Sequence, residues 1–121
     1  MALQKFLSPS VGELSRRVTF RQRALDANQD RLGPFSDIVS RAARVQPLRG
    51  GEAVQSARLE GQQPVVIYVR RDATTKTIDN SFQAVDARDP TIVWDITSAI
   101  ISEDLNWVEV LATQHLGGDE S

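Results

Sequence analysis

The chain has 121 residues, is 40% hydrophobic and 25% charged, and contains no cysteine and one histidine, His115. This length favours a single domain, and the composition excludes disulfides, thiolate nucleophiles, and metal sites built on cysteine or paired histidines. The net charge of −2 hides an asymmetry, because residues 1–61 carry ten Lys/Arg and six Asp/Glu (+4), whereas residues 62–121 carry four and ten (−6). Such a division suggests binding partners.

The chain begins with a predicted N-terminal arm, residues 1–13, and continues with a predicted strand, residues 14–23. Apolar and polar side chains alternate along this strand, which is typical of a half-buried position in a sheet. Val18 and Phe20 face the core in this prediction. The outward face of the strand carries Arg17, Arg21 and Arg23.

A loop is predicted for residues 24–34, which include Asp, Asn, Gln and Gly. The next strand, residues 35–48, contains Val45 and is expected to end near Pro47, since proline cannot donate to a neighbouring strand. Residues 52–60 lack proline and glycine and have an acidic first position, which predicts a short helix.

The second half of the chain predicts four more strands. Their β-forming residues span 64–71, 81–87, 91–100 and 107–113. A polar, Thr-rich loop, residues 71–80, precedes a hairpin that turns at Arg88-Asp89-Pro90-Thr91. Residues 114–121 are predicted to form a flexible acidic tail after a single domain of residues 14–113.

Together these elements predict a mainly β fold, a small six-stranded antiparallel β-barrel or sandwich with one short inserted α-helix and long loops. Side chains fill the interior of such a barrel, so function is expected on loops, edges and the outer surface. The predicted core residues are Val18, Phe20, Val45, Ile67, Trp94, Ile96, Trp107 and Val110.

The sequence offers little for catalysis. His115 is predicted to lie in the tail, and the carboxylate pairs Asp86/Asp89 and Glu103/Asp104 fall in predicted turns, where aspartate is favoured for its backbone hydrogen bonds. No glycine motif for phosphate binding occurs. We therefore expect no enzyme, no catalytic residue, no cofactor and no metal. The longest apolar stretch, residues 65–69, is too short for a membrane span, so no membrane partner is expected.

The basic residues allow two interpretations. Arg70, Arg71 and Lys76, and less strongly the outward arginines of the first strand, are candidates for contact with nucleic-acid phosphates without reading sequence. Alternatively, the opposite charges of the two halves meet across subunits, and a head-to-tail contact of that kind closes into a ring. The candidates for such subunit contacts are Arg17, Arg21, Arg23, Glu103 and Asp104.

The order of the motifs resembles a known family. Residues 12–20 (GELSRRVTF), 43–52 (ARVQPLRGGE), 94–96 (WDI) and 107–111 (WVEVL), with the intervening helix and the strand 65–71, are similar to the small head–tail joining proteins of tailed phages, prophages and gene transfer agents. These proteins are also called head-completion, head-closure or stopper proteins. The resemblance covers residues 11–113.

The resemblance implies a twelvefold or sixfold homo-oligomeric ring, assembled in the bacterial cytoplasm and located in the neck of the particle. Such a ring contacts the portal or adaptor protein above and a tail terminator or tail tube protein below. It closes the channel around packaged double-stranded DNA, with loop 71–80 as the first gate candidate and loop 24–34 as the second. A tail-terminator or tail-completion protein of the same particle, and a free-standing β-barrel that binds nucleic acid, remain as alternatives.

Overall fold

The computed structural model describes residues 14, 16–25, 27–30 and 33–115. The predicted arm (1–13) and residues 116–121 of the predicted tail lie outside the described residues. Six strands, one α-helix and one short 3-10 helix make up the described part. In chain order they are β1 (Arg16–Arg23), β2 (Phe35–Pro47), α1 (Glu52–Leu59), β3 (Gln62–Arg70), the 3-10 helix Thr75–Thr77, β4 (Phe82–Asp86), β5 (Val93–Ile101) and β6 (Trp107–His115).

The strands close into a barrel in the order β1-β2-β3-β6-β5-β4, and β4 pairs back onto β1. All six pairings are antiparallel. The predicted mainly β class with one short helix is confirmed, and the architecture is a barrel. Since the barrel has six strands, β1 lies opposite β6, β2 opposite β5, and β3 opposite β4.

The barrel has two ends with different connections. One end, called the loop end, carries the connection between β1 and β2, residues 71–81 between β3 and β4, and residues 102–106 between β5 and β6. The other end, called the helix end, carries α1 and the turn 87–92 between β4 and β5. Both predicted gate loops therefore lie at the same end of the barrel.

The interior is filled by the inward-facing side chains of all six strands. Phe20 and Trp94 are the largest of the fully buried side chains. Among the residues that the sequence placed in the core, burial is observed for Val18, Phe20, Ile67, Trp94, Ile96, Trp107 and Val110. Val45 is only partly buried and packs against the edge of the core, because it lies two residues from the end of β2.

Helix α1 lies on the outside of the barrel and has no buried residue. It follows Gly51, whose φ of 77° is in the left-handed region, and Gly61 with a φ of 80° lies just beyond its end. Glycine adopts this conformation without the steric cost that a side chain would add. Leu59, in the last turn, is 89% exposed.

Two details differ from the sequence prediction. Strand β6 extends to His115, because its last residue pairs with Gln62 at the start of β3. Thus two residues of the predicted tail belong to the barrel. The predicted loop 71–80 contains the 3-10 helix Thr75–Thr77, so this segment is folded and is not an irregular loop.

Candidate functional site

The segment 71–81 crosses the barrel at the loop end. It must do so because β3 and β4 lie on opposite sides of the barrel. Thr75 is fully buried and Ile78 is 5% exposed, and Ile78 joins the hydrophobic core. The leading gate candidate is therefore packed across the mouth of its own barrel, where it closes the core against solvent.

Asp72 organises this segment. Its Oδ1 accepts hydrogen bonds from the backbone N–H groups of Thr74 and Thr75, both at 2.8 Å. Its Oδ2 accepts from the Nε of Arg41 on β2 at 2.9 Å. Partial burial alone would raise the pKa of Asp72, but these amides and the Arg41 guanidinium outweigh burial and lower that pKa to about 2.

The hydroxyl of Thr75 completes the network. It donates to the carbonyl oxygen of Arg70 at 2.8 Å and accepts from the backbone N–H of Asp72 at 2.8 Å. A buried hydroxyl with both functions satisfied fixes the segment to the end of β3. The short spacing of Asp72 and Thr75 is the sequence signal for this turn, which the loop prediction did not use.

The three basic gate candidates share the loop end but have different surroundings. Arg70 lies over the ring of Trp107, with 5.7 Å from Cζ to the ring centroid. The Nη1 of Arg71 donates to the carbonyl oxygen of Leu105 at 3.1 Å. Lys76 is an exposed residue of the 3-10 helix.

The acidic pair Glu103 and Asp104 lies in the turn that Arg71 contacts. The Oδ1 of Asp104 accepts from the Oγ of Ser102 at 2.5 Å and from the backbone N–H of Asn106 at 3.1 Å. The loop end therefore combines basic and acidic side chains, and the basic cluster does not form a separate positive surface.

The other predicted turn carboxylates also bind backbone groups. The Oδ1 of Asp86 accepts from the N–H groups of Arg88 at 2.8 Å and Asp89 at 3.2 Å. Asp89 in turn accepts from the backbone N–H of Thr91 at 3.2 Å. The interpretation of these residues as turn-forming carboxylates is confirmed. Within the described part of the chain, no group of three or more His, Cys, Asp or Glu side chains forms a possible metal site.

The outward arginines of β1 form a basic wall. Arg17 is exposed near the helix end. Arg21 and Arg23 both stack on Phe35, with 5.0 and 4.4 Å from Cζ to the ring centroid. Arg23 also donates to the carbonyl oxygen of Gly33 at 3.1 Å. Both side chains are thus held toward the loop end by contacts within the subunit.

A row of polar side chains runs from β1 across the outer surface. The Nε of Arg21 donates to Gln83 at 2.9 Å, and Gln83 donates to Oδ1 of Asp95 at 2.9 Å. The Oδ2 of Asp95 lies 2.9 Å from the Nε2 of His115. His115 is therefore a strand residue with a carboxylate partner, which the sequence analysis missed because the partners are 20 residues apart.

The strand opposite β1 carries one acidic residue, Glu109, and follows the turn that contains Glu103 and Asp104. Glu109 on β6 pairs across strands with Tyr68 on β3 and Ile100 on β5. Partial burial, followed by the charges of Asp104 and Glu103, raises the pKa of Glu109. Burial and the charge of Glu109 likewise raise the pKa of Tyr68. Three acidic side chains of the second half of the chain, Glu103, Asp104 and Glu109, thus lie on the side of the barrel opposite the outward arginines of β1.

Comparison with known proteins identifies relatives of this fold. A family model described as phage head completion protein matches residues 9–114. The solution structure of protein SF1141 from Shigella flexneri 2a has a TM-score of 0.61 and 20% identity, covering 93% of this chain and 100% of that chain. A chain from the virion of a native gene transfer agent particle has a TM-score of 0.59 and 13% identity, covering 84% and 94%. Among curated proteins, none matches. No helix of the described residues is long and apolar enough to cross a membrane.

Proposed function

Since this chain belongs to the phage head completion protein family, we propose that it forms a homo-oligomeric ring in the neck of a phage or phage-like particle. The ring lies beneath the portal or its adaptor, closes the DNA channel after packaging, and provides the platform on which the tail docks. The observation that carries the proposal is the family match over residues 9–114. The similar fold in a gene transfer agent virion supports the same kind of particle.

The distribution of charge supports a ring. Basic side chains lie on β1, whereas Glu103, Asp104 and Glu109 lie on β6 and the turn before it, on the opposite wall. A subunit with different, complementary opposite walls binds its neighbours head to tail, and such contacts close when the rotation permits. Arg17, Arg21, Arg23, Glu103 and Asp104 are the proposed contact residues of these walls.

The loop end is the side that we assign to the DNA channel. It carries both gate candidates, loops 71–80 and 24–34, and the three basic residues Arg70, Arg71 and Lys76. Because segment 71–81 is fixed by Asp72 and Thr75, it would line or narrow the channel as an ordered surface. Arginine and lysine on such a surface contact phosphates without sequence specificity.

The proposed role is tested with DNA-filled heads that lack this protein. Adding the purified chain is expected to protect the packaged DNA from nuclease and to allow tail attachment, and light scattering is expected to detect a ring on the portal or adaptor. DNA that remains accessible after the chain has bound would refute channel closure. Tail-tube length that depends on the chain would favour a tail terminator.

Replacing Arg70, Arg71 and Lys76 together with Glu is expected to leave folding intact but to make filled heads lose DNA. The reason is that three phosphate-binding cations become repulsive at the channel. The control replaces Arg49, Arg58 and Arg88 with Glu, since these are exposed arginines at the helix end. Nuclease sensitivity of the packaged DNA is the measurement, and equal retention by both variants would remove the DNA-facing role.

The alternative of a free-standing nucleic-acid-binding barrel has less support. Single-strand-binding barrels stack bases on exposed aromatic rings. Here Phe20 and Trp94 are fully buried, and Phe82 and Trp107 are 7% and 6% exposed. Tight DNA binding by the free chain, without binding to portal or adaptor, would favour this alternative over the ring.

A further inference from the structure

We propose that neighbouring copies of this chain join by pairing the second half of β5 in one copy with the first half of β2 in the next. This inference rests on the proposed ring, because it names the contact through which the ring would form. Among the described residues, two stretches of strand have a neighbouring strand on one side only.

The first stretch is residues 96–101 of β5, called the β5 free edge. Strand β4 pairs with β5 only over Val93–Asp95, and beyond this point the described part of the chain offers β5 no partner but β6. An open pocket of about 270 Å³ lies where β4 and β5 separate, lined in part by Phe82 and Ile96. Because no strand of the described residues pairs with this side of β5 beyond Asp95, it can accept another strand.

The side chains of the β5 free edge are suited to burial. Ile100 is 61% exposed and Ile101 is 41% exposed. Ile101 pairs with Val108, which is only 2% exposed, so both side chains lie on the inward face of the sheet. Among the described strands, none lies next to Ile101 on the side away from β6. Residues 96–101 (ITSAII) include no charge and no proline, the usual protections of an edge that remains in solvent. This edge therefore has the properties of a strand that is covered by a partner.

The second stretch is residues 35–40 of β2, called the β2 free edge. Strand β3 pairs with β2 only over Ala43–Pro47, so the earlier residues have β1 as their strand neighbour in the described structure. The contact between Arg41 and Asp72 lies just after this stretch. Ile38 is the extra residue of a bulge between Val39 and Asp37, and it is 45% exposed.

The two free edges are arranged for head-to-tail pairing. Strands β2 and β5 lie on opposite sides of the barrel, and alternating strand direction makes them antiparallel. Both free edges are at the loop end. A rotation about an axis parallel to the barrel therefore brings the β5 free edge of one copy against the β2 free edge of the next. Each copy uses both edges, which produces a ring instead of a dimer.

Charge complementarity favours this partner. The strand beside the β2 free edge carries Arg21 and Arg23, whereas the strand and turn beside the β5 free edge carry Glu103, Asp104 and Glu109. The joined sheet has the order β1-β2-β5-β6 across the boundary, with the basic strand on one flank and the acidic strand on the other. The exposed isoleucines of both edges become buried at its centre.

Chemical cross-linking tests the contact, and the absence of cysteine from the chain makes it specific. The full chain with Ile38→Cys and Ile100→Cys is treated with a short bismaleimide, in concentrated solution and on DNA-filled heads. We expect a ladder of covalent oligomers, because each copy offers one thiol to each neighbour. Variants with only one of the two cysteines are expected to form no covalent species larger than dimers, because each copy then has a single thiol. The control pairs Ile38→Cys with Leu59→Cys, which is more exposed but lies at the helix end.

A second variant covers the possibility that the cysteines perturb assembly. Ile100→Lys is expected to abolish assembly, and Leu59→Lys to leave it unchanged. Absence of species above dimers in both conditions, or an equal ladder from the Leu59 control, would overturn the contact. The proposed function is judged separately from the contact. If filled heads retain their DNA but the predicted cross-link does not form, only the contact is refuted. If the ladder forms but the heads lose their DNA, only the function is refuted.

Discussion

Replacing Phe20 with Ala is expected to lower the free energy of unfolding by about 3–5 kcal/mol. Phe20 is fully buried in β1 and is one of the largest side chains of the core, so its removal loses apolar burial and leaves a cavity that the surrounding strands fill only partly. Denaturant-induced unfolding, followed by circular dichroism and tryptophan fluorescence, measures the change.

Leu59→Ala provides the matched control for this prediction. Leu59 is as apolar as a core residue but 89% exposed in α1, so its truncation is expected to change stability by about 0.5 kcal/mol or less. A loss from Phe20→Ala as small as that of the control would show that Phe20 is not packed in the core. Trp94 is a less simple test, because its buried Nε1 has no hydrogen-bond partner among the described residues and replacement would remove this cost together with the burial.

The alternation in β1 explains why much of the fold could be predicted from the sequence. Val18 and Phe20 point inward and Arg17 and Arg21 outward in a pattern that depends only on the two-residue period of a strand. The same local information gave the short helix and the hairpin after Asp86. These elements need no knowledge of the rest of the chain.

The remaining features depend on contacts between distant residues. That β6 lies between β3 and β5 cannot be read from local pattern, and only this order forces segment 71–81 to cross the barrel. The burial of Thr75 follows from that crossing. The pairing of His115 with Asp95 likewise requires the register of β5 against β6.

In the candidate site, too, the residue types could be predicted from the sequence, but the contacts between distant residues could not. The sequence identified basic and acidic clusters, but it did not indicate that Arg71 contacts the turn containing Glu103 and Asp104. It also did not reveal that β4 pairs with only the first part of β5, or that β3 pairs with only the last part of β2. The free edges of β2 and β5 arise from unequal strand lengths and register, and neither is visible in composition or charge.

Asp72 determines how firmly the segment across the barrel is held, and its replacement has the second large effect. Asp72→Ala is expected to lower stability at pH 7 by about 2 kcal/mol, because the amides of Thr74 and Thr75 lose their acceptor and Arg41 loses its carboxylate. Asp72→Asn keeps an acceptor and is expected to cost about 1 kcal/mol, a modest value because the Asp72 side chain is 37% exposed.

The stabilisation by Asp72 is expected to decrease at low pH. The pKa of Asp72 in the folded protein is about 2, below the value of about 3.9 expected when the chain is unfolded. The carboxylate therefore stabilises the fold fully above the unfolded value, and this contribution is lost as the pH falls from about 4 toward 2. The difference in unfolding free energy between the native chain and Asp72→Asn is expected to shrink over this range. A constant difference from pH 7 to pH 2 would show that the charge of Asp72 does not hold segment 71–81 in place.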